Sequence, residues 1–210
     1  MTEAALDIPD TARAYQARLG MWVFLATEIM FFGPIFLAYA VGRLHLPEAF
    51  IAAGRHTDVL LGTINTMVLL TSSAAIAMST ECVRDGAMRL ARRLMWLTVV
   101  LGCAFLAIKG YEYAKDLREG LFPGPSFHAA GLSGEMGARL FFFLYFVATG
   151  LHALHLTVGI CLVLVVQWQA ARAPAVPLAR RLEATALYWH FVDVVWVFLF
   201  PILYLAGRAS

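Results

Sequence analysis

Charge is what this sequence has least of. Asp, Glu, Lys and Arg make up 14% of its 210 residues, against about 25% in an ordinary globular chain. Hydrophobic residues make up 61%, and the mean hydropathy is +0.74. A compact soluble domain of this length cannot hide that much apolar surface, so a soluble fold is excluded and most of the chain must be solvated by lipid or by other membrane protein. The net charge of +2 is too small to suggest nucleic acid as a partner. Cysteine is scarce too. Cys82, Cys103 and Cys161 stand alone, with no CxxC, no CxxCH and no paired framework, so a structural zinc and a covalently attached haem both lack their usual ligand signature. There is no nucleotide loop. No internal repeat is visible, which leaves inverted-repeat transporter architecture without support.

Long apolar runs are what the sequence does have. They predict an all-α membrane protein, a bundle of five transmembrane helices at 20–41, 59–78, 94–113, 140–166 and 184–206, since a span needs about 20 residues. The third run reaches that length only if 109–113 is included, which carries Glu112 to its end. The fourth is long enough to tilt or protrude. Residues 1–19 form an N-terminal tail. Ala38-Tyr39-Ala40 imitates a cleavage site, but the run before it is far longer than a signal-peptide core of roughly 7–15 residues, so the first span is read as retained. Five spans put the termini on opposite sides. Nine Lys and Arg fall on the N-terminal side and seven on the other. The cluster Arg84 to Arg93 lies in a short loop, where the basic bias counts most, so the N-terminus is expected to be cytoplasmic and the C-terminus outside. The longest connection holds Gly120, Pro123, Gly124, Pro125, Gly131 and Gly134 and reads as a structured turn region at the membrane surface.

Polar groups kept inside the apolar layer are where a membrane chain declares function. Glu28 lies in the first span within Phe24 to Phe32, where it must be protonated, paired or near water. It reads either as a proton-handling carboxyl group or as a neutral one bonded to a neighbouring helix. His152 and His155 stand at i and i+3 on one face of the fourth span. With a carboxylate from another helix that spacing suits zinc or non-haem iron; otherwise each ring donates to a helix nearby. His190 and Asp193 are also at i, i+3 and are expected to form a charge-assisted pair near the interface, with Tyr188 and Trp189 in an aromatic belt. Glu112, between Tyr111 and Tyr113, reads as an interface anchor. Gly62, Thr66, Ser73 and Ala77, with Asn65 and Ser72 beside them, make a face of small and hydroxyl residues suited to helix–helix contact.

Three blocks together resemble subunit III of the haem-copper terminal oxidases. Trp22-Val23-Phe24-Leu25-Ala26-Thr27-Glu28-Ile29-Met30-Phe31-Phe32 is similar to that family's glutamate-bearing helix. Phe146-Val147-Ala148-Thr149-Gly150-Leu151-His152-Ala153-Leu154-His155 is similar to its paired-histidine helix. Tyr188-Trp189-His190-Phe191-Val192-Asp193-Val194-Val195-Trp196 is similar to its closing helix and is the most specific of the three. Weaker matches fall at Asn65-Thr66 and Glu112-Tyr113. The best-known members have seven spans, the first two enclosing a lipid-filled cleft with the rest. This chain has only the last five, so lipid binding in that cleft does not carry over.

The resemblance implies a redox-silent subunit that packs on catalytic subunit I and steadies it during oxygen reduction and proton pumping. Subunit II, further small subunits and membrane lipids are the other expected partners, with nucleic acid excluded. Haem and copper are expected in the partner subunits and none in this chain, which is placed in the bacterial inner membrane. Glu28 resembles the cytochrome c branch more than the quinol branch. A subunit of a quinol oxidase or nitric oxide reductase is the nearest alternative. An independent proton or small-solute transporter and a metal enzyme built on the paired histidines are alternatives of other classes.

Overall fold

The computed structural model describes residues 10–124, 127, 135–170, 175–205 and 207–208. Their regular structure is entirely helical: α1 (Asp10–His45), α2 (Pro47–His56), α3 (Val59–Arg84), α4 (Met88–Arg118), α5 (Glu135–Gln169) and α6 (Ala175–Phe200), closed by a π-helical turn at Pro201–Leu205. Five helices are long and apolar enough to cross a membrane: α1 from Leu19, α3, α4, α5, and α6 with its π turn. Each extends past the apolar run that announces it. α5, at 35 residues, is about 52 Å long against a hydrocarbon core of about 30 Å, so its ends stand in the headgroup layers. Residues 1–9 of the expected tail, and most of the Gly- and Pro-rich connection, lie outside the described residues; the backbone of 10–19 continues α1.

α3, α4, α5 and α6 form the core. α3 packs most extensively on α4 and next on α6, and α5 packs on both α6 and α4. α1 lies against α5 and touches α2 and α6 only lightly. Its apolar window is 6% buried, against 33–50% for the other spans. Apolar side chains gain little from leaving lipid for protein, so residues such as Trp22, Met30 and Leu37 remain exposed.

Close approach in the core depends on glycine around one large side chain. Trp189 of α6 is fully buried and lies over Gly102 of α4 and Gly159 of α5, where an added Cβ would stand 2.9 Å and 3.2 Å from its ring. The indole N–H donates to Ser72 Oγ of α3 at 3.0 Å. One side chain therefore joins all four core helices. Trp189 and Tyr188 were expected in an aromatic belt, and the structure corrects this. Trp189 is a core residue, and Tyr188, 5% exposed, donates to the His155 carbonyl at 3.0 Å.

The short helix α2 falls where the sequence suggested only a connection. Pro47 stands at its start, where a missing N–H costs nothing. The helix buries Ala49, Phe50 and Ala53. Phe50 packs edge-on against Phe141 and Tyr39, and a Cβ at Gly137 of α5 would stand 2.5 Å from Ala49 Cβ. Neither atom can rotate away. Gly137→Ala is therefore expected to lever α2 off α5 at a cost of about 1–3 kcal/mol. Faster proteolysis after Arg55 in the variant is the check, and an unchanged cleavage rate would contradict the contact.

Candidate functional site

The polar groups gather in two places, one at the α1–α5 contact and one within the core. At the first, His155 Nε2 lies 2.9 Å from Glu28 Oε2 as an ion-pair contact, without the alignment of a good hydrogen bond. Both side chains are 15% exposed. His155 Nδ1 donates to the Leu151 carbonyl at 2.8 Å, because a carbonyl can only accept. A neutral ring with its proton on Nδ1 offers Nε2 as an acceptor, whereas an imidazolium offers it as a donor. Phe32 and Phe31 stack beside the imidazole. Glu28, read alone in the sequence, has its partner in this same chain.

The two histidines do not converge. His152 is fully buried between Phe105 and Trp196, ring centroids 5.4 Å and 5.1 Å away. Neither ring nitrogen has a hydrogen-bond partner among the described residues. The expectation that each ring bonds a neighbouring helix is thus corrected for His152, which bonds no described residue, whereas His155 meets Glu28 of α1 through Nε2. Spacing at i, i+3 places the Cα atoms on one face, but here the face straddles the boundary between the core and the α1 contact.

The third pair is also rearranged. His190 Nδ1 meets Ser73 Oγ of α3 at 2.6 Å instead of Asp193. Asp193 is buried, and neither of its oxygens accepts a hydrogen bond from a described residue, although Ser73 lies close enough to act on it electrostatically. The small-residue face of α3 does lie on α6: Trp196 donates to Thr66 Oγ1 at 3.0 Å, and Gly62 sits under Phe200 and Tyr204. Asn65, fully buried on α3, has no partner for either side-chain polar atom among the described residues.

The second polar cluster is the one the sequence misplaced. Glu112 is 2% exposed, so it is no interface anchor. Its phenol partners are not its neighbours in sequence. Lys109 Nζ donates to Glu112 Oε2 at 2.9 Å, to Tyr145 Oη at 3.1 Å and to Tyr204 Oη at 2.6 Å. Both phenols in turn donate to Glu112 Oε1, at 2.9 Å and 2.8 Å. All three ammonium protons and both carboxylate oxygens are used, and each phenol gives one bond and takes one. The closed ring ties α4 to α5 and to the π turn. Tyr113 completes it from the side, meeting Thr149 Oγ1 at 2.5 Å while Lys109 lies 5.3 Å from its ring centre. The signal available in sequence was Lys109 and Glu112 at i, i+3 in an apolar setting. Tyr145 and Tyr204 lie too far along the chain to be paired by spacing.

The model of the cytochrome c oxidase subunit III family matches residues 7–208. The chain belongs to that family. It is 33% identical to cytochrome c oxidase subunit 3 of Thermostichus vulcanus over 193 residues, which is 90% of this chain and 87% of the relative. A probable quinol oxidase subunit 3 of Staphylococcus haemolyticus is also 33% identical, over 90% of this chain and 89% of its own. The cytochrome bo(3) ubiquinol oxidase subunit 3 of Pseudomonas putida is 30% identical over 90% and 85%. With its five apolar helices, this subunit III chain is a multi-pass bacterial membrane protein that serves a respiratory haem-copper oxidase complex.

The paired histidines His152 and His155 are not arranged as a metal site among the described residues. Among the described residues no three His, Cys, Asp or Glu side chains come together as a metal site. His152 is walled by aromatic rings, and His155 already has Glu28 and Leu151 as partners.

Proposed function

We propose that this chain is the non-catalytic subunit III of a cytochrome c oxidase. In this reading it packs on catalytic subunit I, beside subunit II, and steadies the complex during oxygen reduction and proton pumping. The family match over 7–208 carries the reading. The sparse burial of α1 supports it, because that helix needs a partner or lipid along most of its length. In the proposed arrangement haem and copper sit in the partner subunits, and this chain lends rigid helical surface. The N-terminus is cytoplasmic, as the Arg84 to Arg93 cluster favours.

Cytochrome c is the proposed electron donor because Glu28 stands in the block that resembles that branch. A quinol donor is the second reading, supported by quinol oxidase relatives of equal identity. Supplying reduced cytochrome c and quinol separately to the purified complex decides between them: turnover with quinol alone selects the second.

The Glu28–His155 pair is closed within the chain, which suits a contact holding α1 to α5. Glu28→Gln is expected to leave haem content intact and turnover within about two-fold, since losing an obligatory proton-transfer group costs about 10²–10⁴-fold. The check is oxygen consumption per haem in the purified complex. A loss of a hundredfold with the haems still present would make Glu28 part of the chemistry.

A further inference from the structure

At one end of the bundle, about one helical turn beyond Glu112 on α4, an open pocket of about 350 Å³ is lined by Arg55, His56, Asp58, Leu60, Lys115 and Arg208. It lies where α2 ends, α3 begins, α4 ends and the C-terminal residues return. Of its lining groups three are permanent cations and one is a carboxylate. Two of the cations are held by backbone carbonyls, with no carboxylate bonded to either among the described residues. Arg55 Nε donates to the Gly207 carbonyl at 3.2 Å, and Arg208 donates to the carbonyls of Arg55 at 3.2 Å and Thr57 at 3.0 Å. Asp58 caps α3 through the Leu61 N–H at 3.3 Å and lies 3.7 Å from Lys115. The lining therefore keeps an excess of positive charge, to which the start of α3 adds its own partial charge.

Directly below, α3 turns an apolar stripe outward. Leu60, Ile64 and Met67 are 69%, 40% and 66% exposed. Their spacing of i, i+4 and i+7 puts them on one face, descending about 10 Å into the apolar layer. A free anion would use only the upper half of this surface. An amphiphile would use both.

We propose that the Arg55–Lys115–Arg208 pocket binds the phosphate of an anionic phospholipid headgroup, with an acyl chain lying along Leu60, Ile64 and Met67. Guanidinium groups match phosphate oxygens in geometry as well as charge. The lipid would brace α2, α3, α4 and the C-terminal residues at a point where the protein alone leaves like charges together.

The test is native mass spectrometry of the complex isolated through a tag on this chain, delipidated and then titrated with phosphatidylglycerol or phosphatidylcholine. The adducts are read on this chain's own ions, so the result does not depend on which electron donor the complex uses. One phosphatidylglycerol is expected to be retained about ten-fold better than phosphatidylcholine. Lys115→Gln is expected to lower that retention about ten-fold, the loss of one hydrogen bond to a charged group, and Lys115→Arg to restore it. Lys115 is 42% exposed, so its replacement does not threaten folding. Equal retention of the two lipids, or wild-type retention by Lys115→Gln, would overturn the proposal. Displacement of the lipid by millimolar inorganic phosphate would overturn the lipid as the source of the phosphate group, whereas no displacement supports it.

Discussion

Lys109→Met is expected to destabilise the folded chain by about 3–5 kcal/mol, the cost of leaving one member of a buried ion pair without the other. The magnitude follows from closure. Lys109 is 3% exposed and its three donors are spent on Glu112, Tyr145 and Tyr204. Without it, Glu112 keeps the two phenol bonds but loses its counter-charge in a place water does not reach. Lys109→Met combined with Glu112→Gln removes both charges, and the amide oxygen still accepts from the phenols, so the double variant is expected to recover most of the loss. The readout is the thermal midpoint of the subunit in detergent, together with its recovery in the complex. A single variant as stable as wild type would show that the ring does not hold α4, α5 and the π turn together. A double variant worse than either single one would show that charge is not what makes the single loss large.

Trp196→Ala is expected to cost about 3–5 kcal/mol, the range for deleting a buried tryptophan. The cause differs from that in water. If the unfolded helices remain in lipid, burying the ring gains little by leaving water, and what is lost is contact and the filling of space. Trp196 has no exposed surface, packs edge-on against Phe105 with ring centroids 4.8 Å apart, covers His152 and donates to Thr66. The hole would open beside a histidine whose nitrogens are already unpartnered among the described residues, and collapse around it is hindered on every side. Trp96, half exposed, is the control, and Trp96→Ala is expected to change stability by less than about 0.5 kcal/mol. Equal thermal midpoints for the two variants would refute the packing account.

How much of this was legible from residues alone depends on range. Five spans follow from run length because lipid imposes a minimum on each helix separately. The contact face of α3 could be read because Gly62, Thr66 and Ser73 lie on one helix. The family resemblance rested on blocks such as Tyr188 to Trp196, which are contiguous. What failed was partner choice. His190 and Asp193 share a face, yet His190 turns to Ser73 on another helix. Glu112 sits beside two tyrosines in sequence and bonds two others in space. Glu28 seemed alone because His155 is 127 positions away along the chain. Helical spacing fixes which side a residue faces, and packing decides what it meets there. Trp189 was misplaced for the same reason, since an indole can serve an interface or a core and only Gly102 and Gly159 on other helices decide which.

The most direct measurement of the central claim is the absorption spectrum of what the tagged chain brings with it. Isolated from its native membrane in mild detergent, it is expected to carry haem-containing partner subunits, with copper by elemental analysis, and to consume oxygen when reduced cytochrome c is supplied. Recovery of the intact chain alone, with no haem absorbance and no oxygen consumption, would contradict its assignment as a subunit of a respiratory oxidase.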